Sequence, residues 1–293
     1  MRAIKNVVLQ LFILVVLFLS FSVQSAKVSE QQPIIQSFEY LSSIKSTQYR
    51  LFSSTSLKHD YHLFVRLPES FTVNSNRTYP TIYLLDGDIT YPLLASYYQY
   101  LRFAEDVPEL IIVGISYGSN DFKQGNNRGT DFTAPAKSRS HYGGAAAFQA
   151  MMKKELFPFI EANFPSDKKK RILFGQSLGG QFVIYNVLTE PSNFWGHIAS
   201  NPALHRNLDF FLRDHNATSG STRLFVSRAE NNDLRFQQPE AKWLEYWQSK
   251  TNKQFELKEQ WVRNHNHFSV APDSFRNGLL WLFENKNKNE NKK

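Results

Sequence analysis

Residues 171–180 read Arg-Ile-Leu-Phe-Gly-Gln-Ser-Leu-Gly-Gly, and this stretch decides how the rest of the chain is read. A short apolar run, RILF, enters Gly175-Gln176-Ser177-Leu178-Gly179, a G-x-S-x-G, and a helix-like segment over 178–188 follows at once. The pattern alone is weak, since at average glycine and serine usage it arises by chance about once in ten chains of this length. Its context gives it meaning. A sharp turn from strand to helix leaves no room for Cβ atoms beside it, and it lifts the central hydroxyl above the end of a sheet on a strained backbone. A glycine-rich turn with an incidental serine would need neither the strand before it nor the helix after it.

Working outward, short β-rich runs alternate with helical stretches. Residues 61–67 (YHLFVRL) alternate partly, as an edge or half-buried strand would. Residues 81–85 (TIYLL), 110–115 (LIIVGI), 171–174 and 223–227 (RLFVS) are compact apolar runs that read as buried parallel strands, and 255–262 reads as a later one. Helices are expected over 145–163, where Pro158 should kink or split the helix, and over 178–188. Two more are expected over 239–251, with Pro239 in the first turn, and over 273–283. Strands alternating with crossover helices mean a mostly parallel central sheet covered by helices on both faces. The polar stretch 116–144 lacks clear periodicity, and a connection of that length inside a compact domain is usually functional.

A serine hydroxyl is a poor nucleophile until a base lies within hydrogen-bond reach. His267 is the leading candidate, because it follows the last strand and precedes the last helix, where the order Ser…Asp/Glu…His of the α/β-hydrolase fold places the base. His265 competes with it. His59, His62, His141, His197, His205 and His215 read individually as surface or core histidines. An acid should orient the imidazole, and Glu230 or Asp233, just beyond the run ending at Ser227, stands at the right place in the chain. The oxyanion needs two backbone donors: one from Leu178, after the nucleophile, and one from Gly87 or Asp88 in the turn after TIYLL. Asp86 and Asp88 could be mistaken for a metal pair, but without a neighbouring histidine or third carboxylate a glycine turn is the better reading.

The ends of the chain carry a different message. Arg2 and Lys5 precede an apolar run over 7–21 broken only by Gln10 and Ser20, and Val23 and Ser25 follow as small residues, which reads as a signal peptide over 1–26. An uncleaved anchor is the alternative, disfavoured because the run is shorter than the ~20 residues that span a bilayer. Residues 27–283 then form a single domain, and 284–293 an Asn/Lys-rich disordered tail. Of the formal charge of +8, two units belong to the export segment and three to the tail, so the folded part is an ordinary surface with no nucleic-acid stripe. Cysteine is absent, which excludes disulfides, thiolate metal sites, a cysteine nucleophile and a lipidated cysteine. Export without disulfides points to a bacterial periplasm.

The segments YLLDGD (83–88), GQSLGG (175–180) and HFSVAP (267–272) resemble the Putative esterase family of α/β-hydrolases, which includes esterase D-like enzymes and periplasmic enterochelin (siderophore) esterases. NRGTDFTAP (127–135), KKELFPFIEANFP (153–165) and FRNGLLWLF (275–283) are similar to the siderophore-esterase branch. The resemblance spans roughly residues 35–283. It implies Ser177 as nucleophile, His267 as base with His265 a bystander, and Glu230 as the acid if Ser227 stands in for a family glycine. It also brings Arg128 and His205 to the substrate pocket. His205 lies in Asn201-Pro-Ala-Leu-His-Arg206, where relatives tend to have a Ser-Pro-Ser-Leu-Trp-Trp-like run, and that departure bears against a catecholate siderophore.

The expected protein is therefore an exported serine esterase working through an acyl-enzyme on a small-molecule ester, with a siderophore trilactone as the specific substrate. It needs no metal or organic cofactor, no nucleic acid, and no membrane anchor after cleavage. Acyl transfer on the same triad, or a non-catalytic binding protein of the same fold, are the alternatives. A fluorophosphonate probe that fails to label the protein would favour the latter.

Overall fold

The computed structural model describes residues 44–284 apart from 45, 74–75, 105–106, 120 and 216–221. The expected signal peptide and the tail beyond residue 284 lie outside the described residues. Alternation along the apolar runs builds the sheet. In β3 (Tyr79–Leu84), Ile82 and Leu84 face one side and Tyr83 the other, all fully buried. The same period-two burial on both faces holds in β4 (Ile111–Ser116), where every residue is buried. With β1 (Thr47–Ser54), β2 (His59–Arg66), β5 (Ser166–Gln176), β6 (Gly196–Ser200), β7 (Thr222–Ala229) and β8 (Phe255–Val262) they form one sheet of order β1-β2-β4-β3-β5-β6-β7-β8. Pairings β1–β2 and β2–β4 are antiparallel, and the other five are parallel.

Helices α1 (Gly87–Phe103) and α8 (Ala271–Leu282) cover one face, burying Tyr91, Leu94, Tyr98, Leu101, Phe275 and Leu279 against Ile82, Leu84, Phe174 and Ile198. Helices α3 (Ala145–Met151), α4 (Phe157–Asn163), α5 (Leu178–Thr189) and α7 (Leu234–Ser249) cover the other, with short α2 (Arg128–Asp131) and α6 (Leu208–Phe211) beside them. Fully burying one such aromatic or aliphatic side chain stabilises the fold by about 1.5–3 kcal/mol.

Several elements depart from the expected bounds, each for a local reason. β1 and β6 were not anticipated. β1 is half exposed, which makes it the edge that 61–67 resembled, and β2 lies one strand in. β6 is five residues long and contains Gly196 and His197, whose ring is fully buried between Thr222 and Asn186. Helix α1 was hidden by Pro92 in its second turn, although its buried face keeps helical spacing. The basic run 168–170 is exposed strand, because β5 begins at Ser166. Helix α7 begins five residues before its expected start, with Asp233 accepting from the Arg235 amide at 2.8 Å as its N-cap and Pro239 inside. Pro158 does split 145–163: a π-helical turn, Met152–Leu156, separates α3 from α4 and leaves Pro158 in the first turn of α4.

Topology positions the site. The chain leaves β3 toward β4 on one side and leaves β5 toward β6 on the other, so a crevice opens at the carboxyl ends of β3 and β5. The glycine turns at 86–88 and 175–179 lie at those two strand ends.

Candidate active site

The turn after β5 is built as the glycines demand. Ser177 has φ 58° and ψ −112°, a strained conformation for a residue with a side chain, and it ends β5 and opens α5. A Cβ on Gly175 would lie 2.3 Å from the carbonyl carbon and oxygen of Gly179, so nothing larger than glycine fits there. The Ser177 amide donates to the Ser200 carbonyl, and the Ser177 carbonyl accepts from the Ala203 amide, both at 3.0 Å. These bonds clamp the strained residue to the end of β6 and the segment after it.

His267 comes from the loop between β8 and α8. Its Nε2 lies 2.8 Å from Ser177 Oγ. The ring is buried and stacks on Phe236 of α7, with centroids 4.1 Å apart and planes 21° from parallel. Gln176, the residue before the serine, donates through Nε2 to the His267 carbonyl and accepts from Ser200 Oγ, so the elbow also holds the histidine's backbone. Burial pushes the imidazole down to about 4, and Arg235, His205 and Arg128 add repulsion against a second proton. His265 is turned elsewhere: its Nε2 is 2.9 Å from Asp273 and its Nδ1 faces Ser269.

The acid is where expectation and geometry part. Glu230 accepts from the Asn264 amide at 2.9 Å, and Asp233 caps α7. Both carboxylates are held by nearby backbone N–H donors, and among the described residues neither is hydrogen-bonded to His267. Its Nδ1 meets Asn201 Nδ2 at 3.1 Å instead. Asn201 is fully buried at the end of β6, with φ 46°. The sequence signal for it is the unusual run Asn201–Arg206, which also carries His205. Phe236 and Gln176 were not legible either, because a helix start and a strand end meet His267 only through the tertiary fold.

Leu178 is the first residue of α5, and Gly87 and Asp88 are the first two of α1. Amides at a helix start lack partners within the helix, so these can donate to an incoming anion. The two turns are neighbours: a Cβ on Gly179 would sit 3.4 Å from Leu85 Cβ and 3.5 Å from Asp86 Oδ2. Asp86 takes a left-handed φ of 55° and is gripped by Arg128, with Nε–Oδ1 2.6 Å and Nη2–Oδ2 3.0 Å. Asp86 is thus engaged by a guanidinium in two-pronged fashion, an arrangement that fixes the turn geometrically. Arg128 belongs to the long connection after β4, which is anchored at Gln181: Oε1 accepts from the Ala134 amide at 3.3 Å and from Asn207 Nδ2 at 3.0 Å. His205 sits edge-on to Phe236, ring centroids 4.9 Å apart, and so lies one ring away from His267.

An eight-stranded, mostly parallel sheet with a G-x-S-x-G turn at the end of β5 defines an α/β-hydrolase fold. The chain belongs to the Putative esterase family, whose profile matches residues 54–280. It is 33% identical over 208 residues to the ferri-bacillibactin esterase BesA of Bacillus subtilis strain 168, covering 65% of this chain and 67% of that protein. It is 27% identical over 183 residues to the apo-salmochelin esterase of Escherichia coli O6:H1, covering 57% of this chain and 56% of that protein. Among solved structures it is similar to the BES protein of Bacillus cereus, with a TM-score of 0.68 at 26% identity, covering 82% of this chain and all but 4% of that one (96%).

Proposed function

We propose that this protein is an exported serine esterase that hydrolyses a small-molecule ester, with a siderophore lactone as its specific substrate. The observation that carries the reading is the 2.8 Å approach of His267 Nε2 to the hydroxyl of the strained Ser177. In the reaction, Ser177 Oγ attacks the ester carbonyl while its proton passes to His267 Nε2. The tetrahedral oxyanion accepts hydrogen bonds from the Leu178 amide and from the Gly87 or Asp88 amide. The imidazolium then protonates the leaving alkoxide, and water repeats the sequence on the acyl-enzyme to release the acid. The names of the relatives support a siderophore ester. The apolar run over residues 7–21 supports export.

The test is an ester panel that includes cyclic trilactones, run on wild type and Ser177→Ala with product analysis. Serine-dependent release of acid and alcohol is the expected result. Failure to open any ester would sink the reading, and transfer to an added alcohol in preference to water would make the protein an acyltransferase.

A base must be neutral to accept a proton, so activity disappears only as pH falls through the imidazole's own value. With His267 pushed down to about 4, kcat/KM on a neutral ester should hold from pH 7 to near pH 5 and fall around pH 4. A limb near 6.5 instead would mean that the ring titrates like an ordinary solvated histidine.

A further inference from the structure

We infer that Asn201 occupies the position of the missing triad acid and, as an amide of fixed orientation, holds His267 in the tautomer that carries its proton on Nε2. The inference rests on the esterase reading for its kinetic consequence, but not for its structural content.

The argument follows the hydrogen bonds outward from a donor that cannot turn. The Ala229 amide, at the end of β7, points at Asn201 Oδ1 from 3.1 Å, and a backbone N–H can only donate. Asn232 Nδ2 approaches the same oxygen at 3.3 Å. Rotating the Asn201 amide by half a turn would set its NH2 against the Ala229 N–H, two donors facing each other in a site where Asn201 and Ala229 are both fully buried. The oxygen therefore stays on Ala229, and Nδ2 is the atom that faces His267 Nδ1 at 3.1 Å. An amide nitrogen only donates, so Nδ1 must accept and the imidazole proton resides on Nε2. Nε2–H then donates to Ser177 Oγ across the 2.8 Å contact, the reverse of what proton abstraction needs. Catalysis has to proceed from the minor tautomer, with the proton on Nδ1 and the Asn201 contact broken. Asn201 is thus a positioning residue that restrains the base.

The same pocket is already arranged for a carboxylate. With Asp at 201, one oxygen would keep the Ala229 and Asn232 donors and the other would accept from His267 Nδ1–H, leaving Nε2 free to take the serine proton. The backbone permits it, since φ 46° is a region that Asn and Asp adopt far more readily than other residues with side chains. The charged or titratable groups facing His267 are Arg235 from α7, His205 from the segment after β6 and Arg128 from α2, all of which disfavour the imidazolium. A carboxylate at 201 would be the first group to favour it.

The experiment compares wild type, Asn201→Asp and Asn201→Ala by 15N NMR of His267 and by the pH dependence of kcat and KM on one neutral ester. The wild type should show the Nε2–H tautomer at neutral pH. Asn201→Asp should show Nδ1–H, raise kcat at least about tenfold with little change in KM, and move the acid limb up by at least about one pH unit. Rescue of orientation by Asp but not by Ala separates positioning from simple packing. An Nδ1–H tautomer in the wild type overturns the inference whatever the variants do, including the case where Asn201→Asp does not fold. A folded Asn201→Asp with unchanged kcat and an unmoved limb overturns it too. If no variant hydrolyses any ester, the esterase reading fails while the NMR result alone decides the role of Asn201.

Discussion

Ser177→Ala is expected to lower ester turnover by about 10⁶ while the protein stays folded. The loss is large because no other hydroxyl can take the place at the elbow. The backbone at 177 is fixed by bonds to the Ser200 carbonyl and the Ala203 amide, and it aims one side chain at His267. What survives is the contribution of the proposed oxyanion donors, the Leu178 amide and the Gly87 or Asp88 amide, and of substrate binding, which can still assist attack by water. Folding should be spared because helix α5 is held by residues 179–188, all buried, and alanine sits on the same backbone as serine. The measurements are turnover on a single ester and a thermal melt. Activity within tenfold of wild type in a folded variant would end the serine-esterase reading.

His267→Ala should match Ser177→Ala in severity, and His265→Ala should be mild. The two histidines are two residues apart, yet their surroundings separate them. His267 is buried against Phe236 with Nε2 on the serine, so in the proposed mechanism its removal deletes both the base and the acid that protonates the leaving group. It also strands Asn201 Nδ2 in the interior, which costs about 1–3 kcal/mol of stability and should show as a lower Tm. His265 bridges Asp273 and Ser269 at the rim, a half-exposed arrangement of the kind that contributes ~0–1 kcal/mol. Kinetics of the two single variants at saturating ester decide the assignment. A severe His265 defect beside a mild His267 defect would reverse it.

These expectations draw on features of unequal legibility. The turn at Ser177 could be read from ten residues because its requirements are local: an apolar strand, glycines where a Cβ would strike backbone, and a helix to follow. The strands at 81–85, 110–115 and 255–262 were legible for the same reason, each being a compact run with its own period. Helix α1 was not, since Pro92 breaks the local rule and only burial against β4 and α8 makes up for it. Strand β6 was not legible either, because five residues with a glycine and a histidine become a strand only when β5 and β7 pair on both sides.

The site divides along the same line. Sequence by itself determined the α/β architecture and pointed to the serine and the late histidine, because chain order and short-range sterics constrain all three. Tertiary structure alone decided what stands behind the histidine. Glu230 and Asp233 had the right place in the chain, but Glu230 accepts from the Asn264 amide on the loop after β8 and Asp233 from the Arg235 amide of the helix it caps, so each carboxylate is satisfied without reaching the imidazole. Asn201 reached His267 because β6 ends beside β5 and β7, so a left-handed residue at its tip directs its amide across the end of the sheet, where the Ala229 N–H fixes which atom the imidazole meets. No period or spacing encodes that meeting, since it depends on three strand ends coming together and on the direction of one backbone donor.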